Sequence, residues 1–83
     1  MFVGEGLTLS ADKKIIKICN DLRNDVENML NTEFNEYTPL TYRREVVAGY
    51  NFFVRIQVGE KTYINIIIFI GLGGQSPKLT SSS

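Results

Sequence analysis

Two hydrophobic periods succeed one another along this chain, and their order restricts the fold more than any other feature. From about Ala11 to Asn31 the apolar residues Ile15, Ile18, Cys19, Leu22, Val26, Met29 and Leu30 recur at three- and four-residue spacing. That spacing lines one face of an α-helix. Lys13, Lys17, Asn20, Arg23, Asn24, Glu27 and Asn28 fill the opposite side. The pattern predicts one amphipathic helix of about five to six turns at roughly 3.6 residues per turn. Ser10 is the expected N-cap, since its hydroxyl can accept from an unpaired first-turn amide. Asp12 then sits near the positive end of the helix dipole.

From Tyr37 onward the period drops to two. Tyr37 to Val47 reads as a first strand, Tyr50 to Val58 as a second rich in aromatic and β-branched residues, and Tyr63 to Ile70 as a third. Gly59-Glu60-Lys61 is a turn, Gly71, Gly73 and Gly74 belong to a loop, and Leu79-Thr80 starts a further strand. A helix followed by consecutive antiparallel strands predicts an α+β fold, with one sheet face covered by the helix. In the third strand Ile64, Ile66, Ile68 and Ile70 share the helix-facing side. Tyr63, Asn65, Ile67 and Phe69 point the other way.

Composition excludes several functions. The 83 residues suit one small domain, residues 1–83. Nine basic residues balance nine acidic ones, which argues against electrostatic binding to nucleic acid. There is no His, and Cys19 is the only thiol. His-containing triads, Cys/His zinc sites and internal disulfides are therefore absent, and no cofactor is implied. Cys19 lies on the apolar helix face and reads as a small core residue. Asp21, Asp25 and Glu33 scatter over the solvated helix surface and make a poor acid–base pair. The longest apolar run, Ile66 to Ile70, is far short of the roughly 20 residues that cross a bilayer. No basic stretch followed by an apolar one opens the chain, and with a lone Cys the expected setting is the reducing cytoplasm.

Three short segments are not absorbed by a core. They are Phe2-Val3-Gly4, Glu45-Val46-Val47-Ala48-Gly49 at a hairpin tip, and Leu72-Gly73-Gly74 in a glycine loop. Apolar side chains at loop tips gain about 25 cal/mol for each Å² that a partner removes from water. The stretch Glu45-Val46-Val47-Ala48-Gly49-Tyr50-Asn51-Phe52-Phe53, together with the preceding helix and the Phe-Val-Gly trunk, resembles the type 1 cystatins, or stefins. Val54 to Gly59, Phe69, Leu72 and Leu79-Thr80 extend the likeness. The family's mark is Gln-Val-Val-Ala-Gly followed by an Asn-aromatic pair.

The resemblance implies a helix packed across a curved antiparallel sheet and a reversible inhibitor of papain-like cysteine proteases, not an enzyme. Carried over by position, Phe2 and Val3 enter the non-primed pockets and Gly4 turns the chain away. Val46, Val47, Ala48 and Gly49 cover the cleft centre, and Leu72, Gly73 and Gly74 support the primed side. Glu45 departs from the family's Gln: a carboxylate only accepts hydrogen bonds, and its charge is expensive to bury unpaired. Gly73-Gly74 replaces larger residues, and the last strand is expected to be short, leaving part of Tyr63–Ile70 as an edge. The active form is expected to be a monomer, and exchange of the first hairpin would give a dimer without the wedge. A cystatin-fold binding or scaffold protein without inhibitory activity is the competing reading.

Overall fold

A computed structural model of the chain describes residues 7–83. Its elements are β1 (Leu9–Ser10), α1 (Lys13–Asp21), α2 (Arg23–Leu30), β2 (Thr38–Val47), β3 (Gly49–Gly59), β4 (Thr62–Ile70) and β5 (Lys78–Ser82). All five strands form one antiparallel sheet in sequence order.

The amphipathic segment lies where its periodicity predicts, but as two helices instead of one. The break falls at Leu22, with φ −95° and ψ 3°. The hydrogen-bond ladder nevertheless continues through it, because Leu22 donates to the Ile18 carbonyl (3.1 Å) and accepts from the Val26 amide (3.0 Å). Leu22 is buried, so the turn loosens without turning its apolar side chain away from the core. The N-cap is Asp12 and not Ser10: the Asp12 carboxylate accepts from the Ile15 amide at 2.9 Å. Ser10 is committed elsewhere, paired with Thr41 in β1, a two-residue strand that hydrophobic patterning did not reveal. Asn31 closes α2 with φ 54° and ψ 44°, a left-handed conformation that Asn tolerates better than most residues.

Ile15, Cys19, Leu22 and Val26 from the helices meet Val54 and Ile56 of β3 and Ile64, Ile66 and Ile68 of β4. All nine are buried, each contributing about 1.5–3 kcal/mol for its larger side chains, less the entropy of ordering. The alternation expected along β4 therefore holds, with Ile70 half-buried at the margin of the core. On the outer face Ile67 and Phe69 are half-buried, while Arg43 lies over Phe53 (5.2 Å) and Arg55 over Tyr63 (4.6 Å).

The segment between α2 and β2 is anchored by polar contacts that spacing alone does not disclose. Glu27 Oε2 accepts from Arg23 Nε (3.2 Å) and from the Phe34 amide (3.0 Å), and the Arg23 guanidinium donates to the Phe34 carbonyl. The Phe34 amide foremost, with Arg23 behind it, holds the Glu27 carboxyl below the usual glutamate range. Tyr37 is buried beneath Arg23 and donates its hydroxyl to the Cys19 carbonyl at 2.8 Å.

β5 spans five residues and pairs Ile66 with Ser82 through Phe69 with Lys78. Two Asn65–Ser83 backbone bonds, each 2.9 Å, extend that pairing, so the middle of β4 is covered and not an edge. Among the described residues no helix is long and apolar enough to cross a membrane.

Candidate functional site

The β2–β3 hairpin is as tight as a hairpin can be drawn. Val46 pairs with Tyr50 and Val47 with Gly49, leaving Ala48 alone at the apex. Such a reversal demands unusual backbone geometry, and Gly49 supplies it with φ +121°. Gly49 is required for a second reason. A Cβ there would stand 2.5 Å from the Ile70 carbonyl oxygen and 3.0 Å from Gly71 Cα. The missing side chain therefore lets the hairpin tip press against the place where β4 ends and the 71–77 loop begins.

That contact puts two of the three apolar segments side by side. Tyr50 pairs with Ile70, and Lys78 returns opposite Phe69, so the β2–β3 tip and the β4–β5 loop share one end of the sheet. Val46 is 56% exposed, Val47 43% and Leu72 65%, although each is apolar. Ala48 is exposed as well. Gly73 (φ +85°) and Gly74 (φ +76°) carry Leu72 on a loop with open space around both α-carbons.

The third segment, Phe2-Val3-Gly4, lies outside the described residues. The described chain enters β1 from the side of the same tip. Leu9 faces Tyr42 and Ser10 faces Thr41 in antiparallel register, so Leu7 and Thr8 lie on the Arg43 side of that pairing.

Glu45, whose charge would be expensive to bury unpaired, has a hydrogen-bond partner. Its cross-strand partner is Asn51, whose side-chain amide donates to Glu45 Oε1 at 3.0 Å. The pair bridges β2 and β3 on the outer face, just behind the tip, and satisfies one carboxylate oxygen without removing the charge.

Two residues that sequence reasoning passed over stand at this end. Tyr50 is 37% exposed and faces the helix side, directly opposite Val46. The exposed Arg44 guanidinium lies 5.2 Å from the centre of its ring. Tyr50 reads as an ordinary strand aromatic until the turn is known to close at Ala48, which is what sets its register against Val46.

Cys19 offers no chemistry to compete with this edge. It is fully buried, and desolvation pushes its thiol up to about 12, so it is protonated and inaccessible at neutral pH. Asp21 is spent on an exposed pair with Lys17 at 3.3 Å. Among the described residues no group of three or more His, Cys, Asp or Glu is placed to hold a metal ion.

An uncharged hairpin tip and a glycine loop thus stand side by side at one end of a helix-covered sheet and present an apolar edge to solvent. Comparison with protein-family models gives no match. Individual relatives are clear. The chain is 36% identical over 66 residues to cystatin-A from Bos taurus, covering 80% of this chain and 67% of that protein. It is 33% identical over 70 residues to cystatin-A from Felis catus, covering 84% and 71%. To the leukocyte cysteine proteinase inhibitor 1 of Sus scrofa it is 30% identical over 69 residues, covering 83% and 67%. The chain belongs to the type 1 cystatin (stefin) family. Membership places it among protease inhibitors and not among enzymes.

Proposed function

We propose that residues 1–83 act as a single cystatin-like unit that reversibly inhibits papain-like cysteine proteases of the cathepsin type by occluding the active-site cleft. The observation that carries this reading is the convergence of Val46, Val47, Ala48 and Gly49 with Leu72, Gly73 and Gly74 at one end of the sheet. Small apolar side chains and glycines suit a close-fitting plug. They desolvate without leaving polar groups unpaired and let backbone approach backbone.

In this reading the β2–β3 tip lies over the centre of the cleft and the Leu72 loop supports the primed side. Phe2 and Val3 fill the non-primed pockets, with Gly4 turning the chain away, each apolar side chain contributing about 1.5–3 kcal/mol less the ordering cost of a chain end. No peptide bond of the inhibitor is aligned with the protease nucleophile, so the complex forms without cleavage. The setting is the cytoplasm. The active form is a monomer, because an exchanged dimer would straighten Val46 to Gly49 into continuous strand and remove the tip.

A papain titration tests this directly. Intact monomer inhibits, removal of residues 1–4 weakens inhibition, and a size-separated dimer inhibits less than the monomer. Absence of inhibition by the intact monomer would favour a cystatin-fold binding or scaffold protein instead. A fully active exchanged dimer would show that the tip is not needed.

A further inference from the structure

Beside the apolar tip, on the helix side of the sheet, a cleft of about 440 Å³ opens between α1 and strands β2 to β4. Its floor is apolar: Ile15 and Ile18 from α1, Phe52 from β3 and Ile70 from β4. Tyr42 and Tyr50 form its walls, their rings each about one aromatic spacing from Phe52 (6.1 and 6.2 Å).

The rim is charged, and unevenly so. Asp12 is already engaged: it caps α1 through the Ile15 amide (2.9 Å) and accepts from the Tyr42 hydroxyl (3.3 Å). Lys14 and Arg44 also line the cleft, and both are exposed. Lys14 has no hydrogen-bond or ion-pair partner among the described residues, and Arg44 lies over the Tyr50 ring at 5.2 Å with the Tyr42 hydroxyl within its field. Among the described residues, two cations against one committed carboxylate leave the rim net positive. Glu45, the nearest residue in sequence of opposite sign, is on the other sheet face with Asn51.

Tyr50 joins this cleft to the tip. It is one wall of the cleft and the cross-strand partner of Val46. A protein seated on the tip therefore meets the cleft as a continuation of the same surface.

We infer that the cleft is a second docking element for the inhibited protease, receiving a rim segment in which an apolar side chain stands next to a carboxylate. The apolar side chain covers Ile18, Phe52 and Ile70, and the carboxylate pairs with Lys14 and Arg44. Charges at the border of an interface act mainly on the speed and selectivity of encounter. The cleft thus selects among papain-like proteases in favour of those with an acidic rim on the helix side. This inference rests on the inhibitory function proposed above.

The test measures association and dissociation rate constants of the full chain and of Lys14→Glu/Arg44→Glu against papain-like proteases of graded surface charge, at low and high salt. Wild-type association is expected to rise with the negative charge of the protease. The double variant is expected to lose about tenfold in association rate with the most acidic protease at low salt and to level or invert the ranking. Lys14→Glu alone, which breaks no contact among the described residues, gives part of the loss if the double variant folds poorly. Unchanged rates and ranking in inhibiting variants would overturn the cleft's role while leaving the tip intact. Self-association of the wild type that the double variant abolishes would assign the cleft to a second copy of the chain, and overturn it equally. Wild type that inhibits no protease overturns the inhibitory reading itself, and the inference with it.

Discussion

Strand β3 is turned at both ends, and its two turns are built on opposite principles. At one end Gly59, Glu60 and Lys61 make a charged reversal in which Lys61, and not Gly59, takes the positive φ (120°). Glu60 and Lys61 point charges into solvent, the Lys61 amide bonds the Gly59 carbonyl at 3.0 Å, and Gln57 Nε2 donates to the same oxygen at 3.0 Å. At the other end Val46, Val47 and Ala48 face solvent with no charge among them. A hairpin needs a residue able to turn and a register that pairs. It does not need exposed valines. The charged turn shows that this sheet can reverse with polar residues in solvent, so folding alone does not account for the apolar one, and the inhibitory reading proposed above supplies a reason for it.

Substitutions at the two ends can break or sharpen that contrast. The largest effect is expected from Gly49→Ala. Its φ of +121° and the Ile70 carbonyl 2.5 Å from a new Cβ leave no room, so urea unfolding is expected to show roughly 3 kcal/mol of destabilisation. Gly73→Ala, with a positive φ but open space, is expected to cost only about 1 kcal/mol. Equal costs at the two glycines would mean that the tip does not press on the end of β4.

Val47→Asp separates binding from folding. The residue is 43% exposed and opposite a glycine, so the unfolding midpoint should hardly move. Inhibition of papain is expected to weaken by at least about 30-fold, the scale of an interface hot spot. Glu60→Ala at the opposite turn is expected to change neither quantity. If it weakens inhibition as Val47→Asp does, the two ends are not functionally distinct.

Glu45→Gln is a finer probe. The amide retains an oxygen to accept from Asn51 and no longer brings a charge to the partner, so inhibition is expected to tighten about threefold with stability unchanged. An unaltered inhibition constant would place Glu45 outside the contact.

The smallest effect lies away from both turns. Glu27 has its carboxyl held below the usual glutamate range by the Phe34 amide and Arg23. A lowered folded-state value stabilises the fold above the ordinary glutamate range and loses that contribution as pH falls through the lowered value. Unfolding followed between neutral and acid pH should therefore show a shallower acid decline in Glu27→Gln than in the wild type. Identical pH profiles would remove Glu27 from the account.

The exposed apolar residues were more legible in the sequence than the interactions that hold them in place. Valines and a leucine beside glycines stand out because nothing in a local pattern calls for them, and the helix face and the β4 alternation follow directly from 3.6- and 2-residue periods. Asp12 as the cap was missed because Ser10 is drawn into β1 by pairing with Thr41, thirty-one residues further along. The Glu45–Asn51 hydrogen bond depends on register, and register depends on where the turn closes.

Periodicity thus determined by itself that a helix would cover an antiparallel sheet and which isoleucines would face it, since those choices depend on neighbours three, four or two residues away. Tertiary structure alone decided that Gly49 would lie against Ile70, that the valine tip and the Leu72 loop would share one end, and that Lys14 and Arg44 would rim a common cleft. Each of those arrangements joins residues more than twenty positions apart. Their meeting is set by strand register and by packing of helix on sheet, which a local pattern constrains but does not specify.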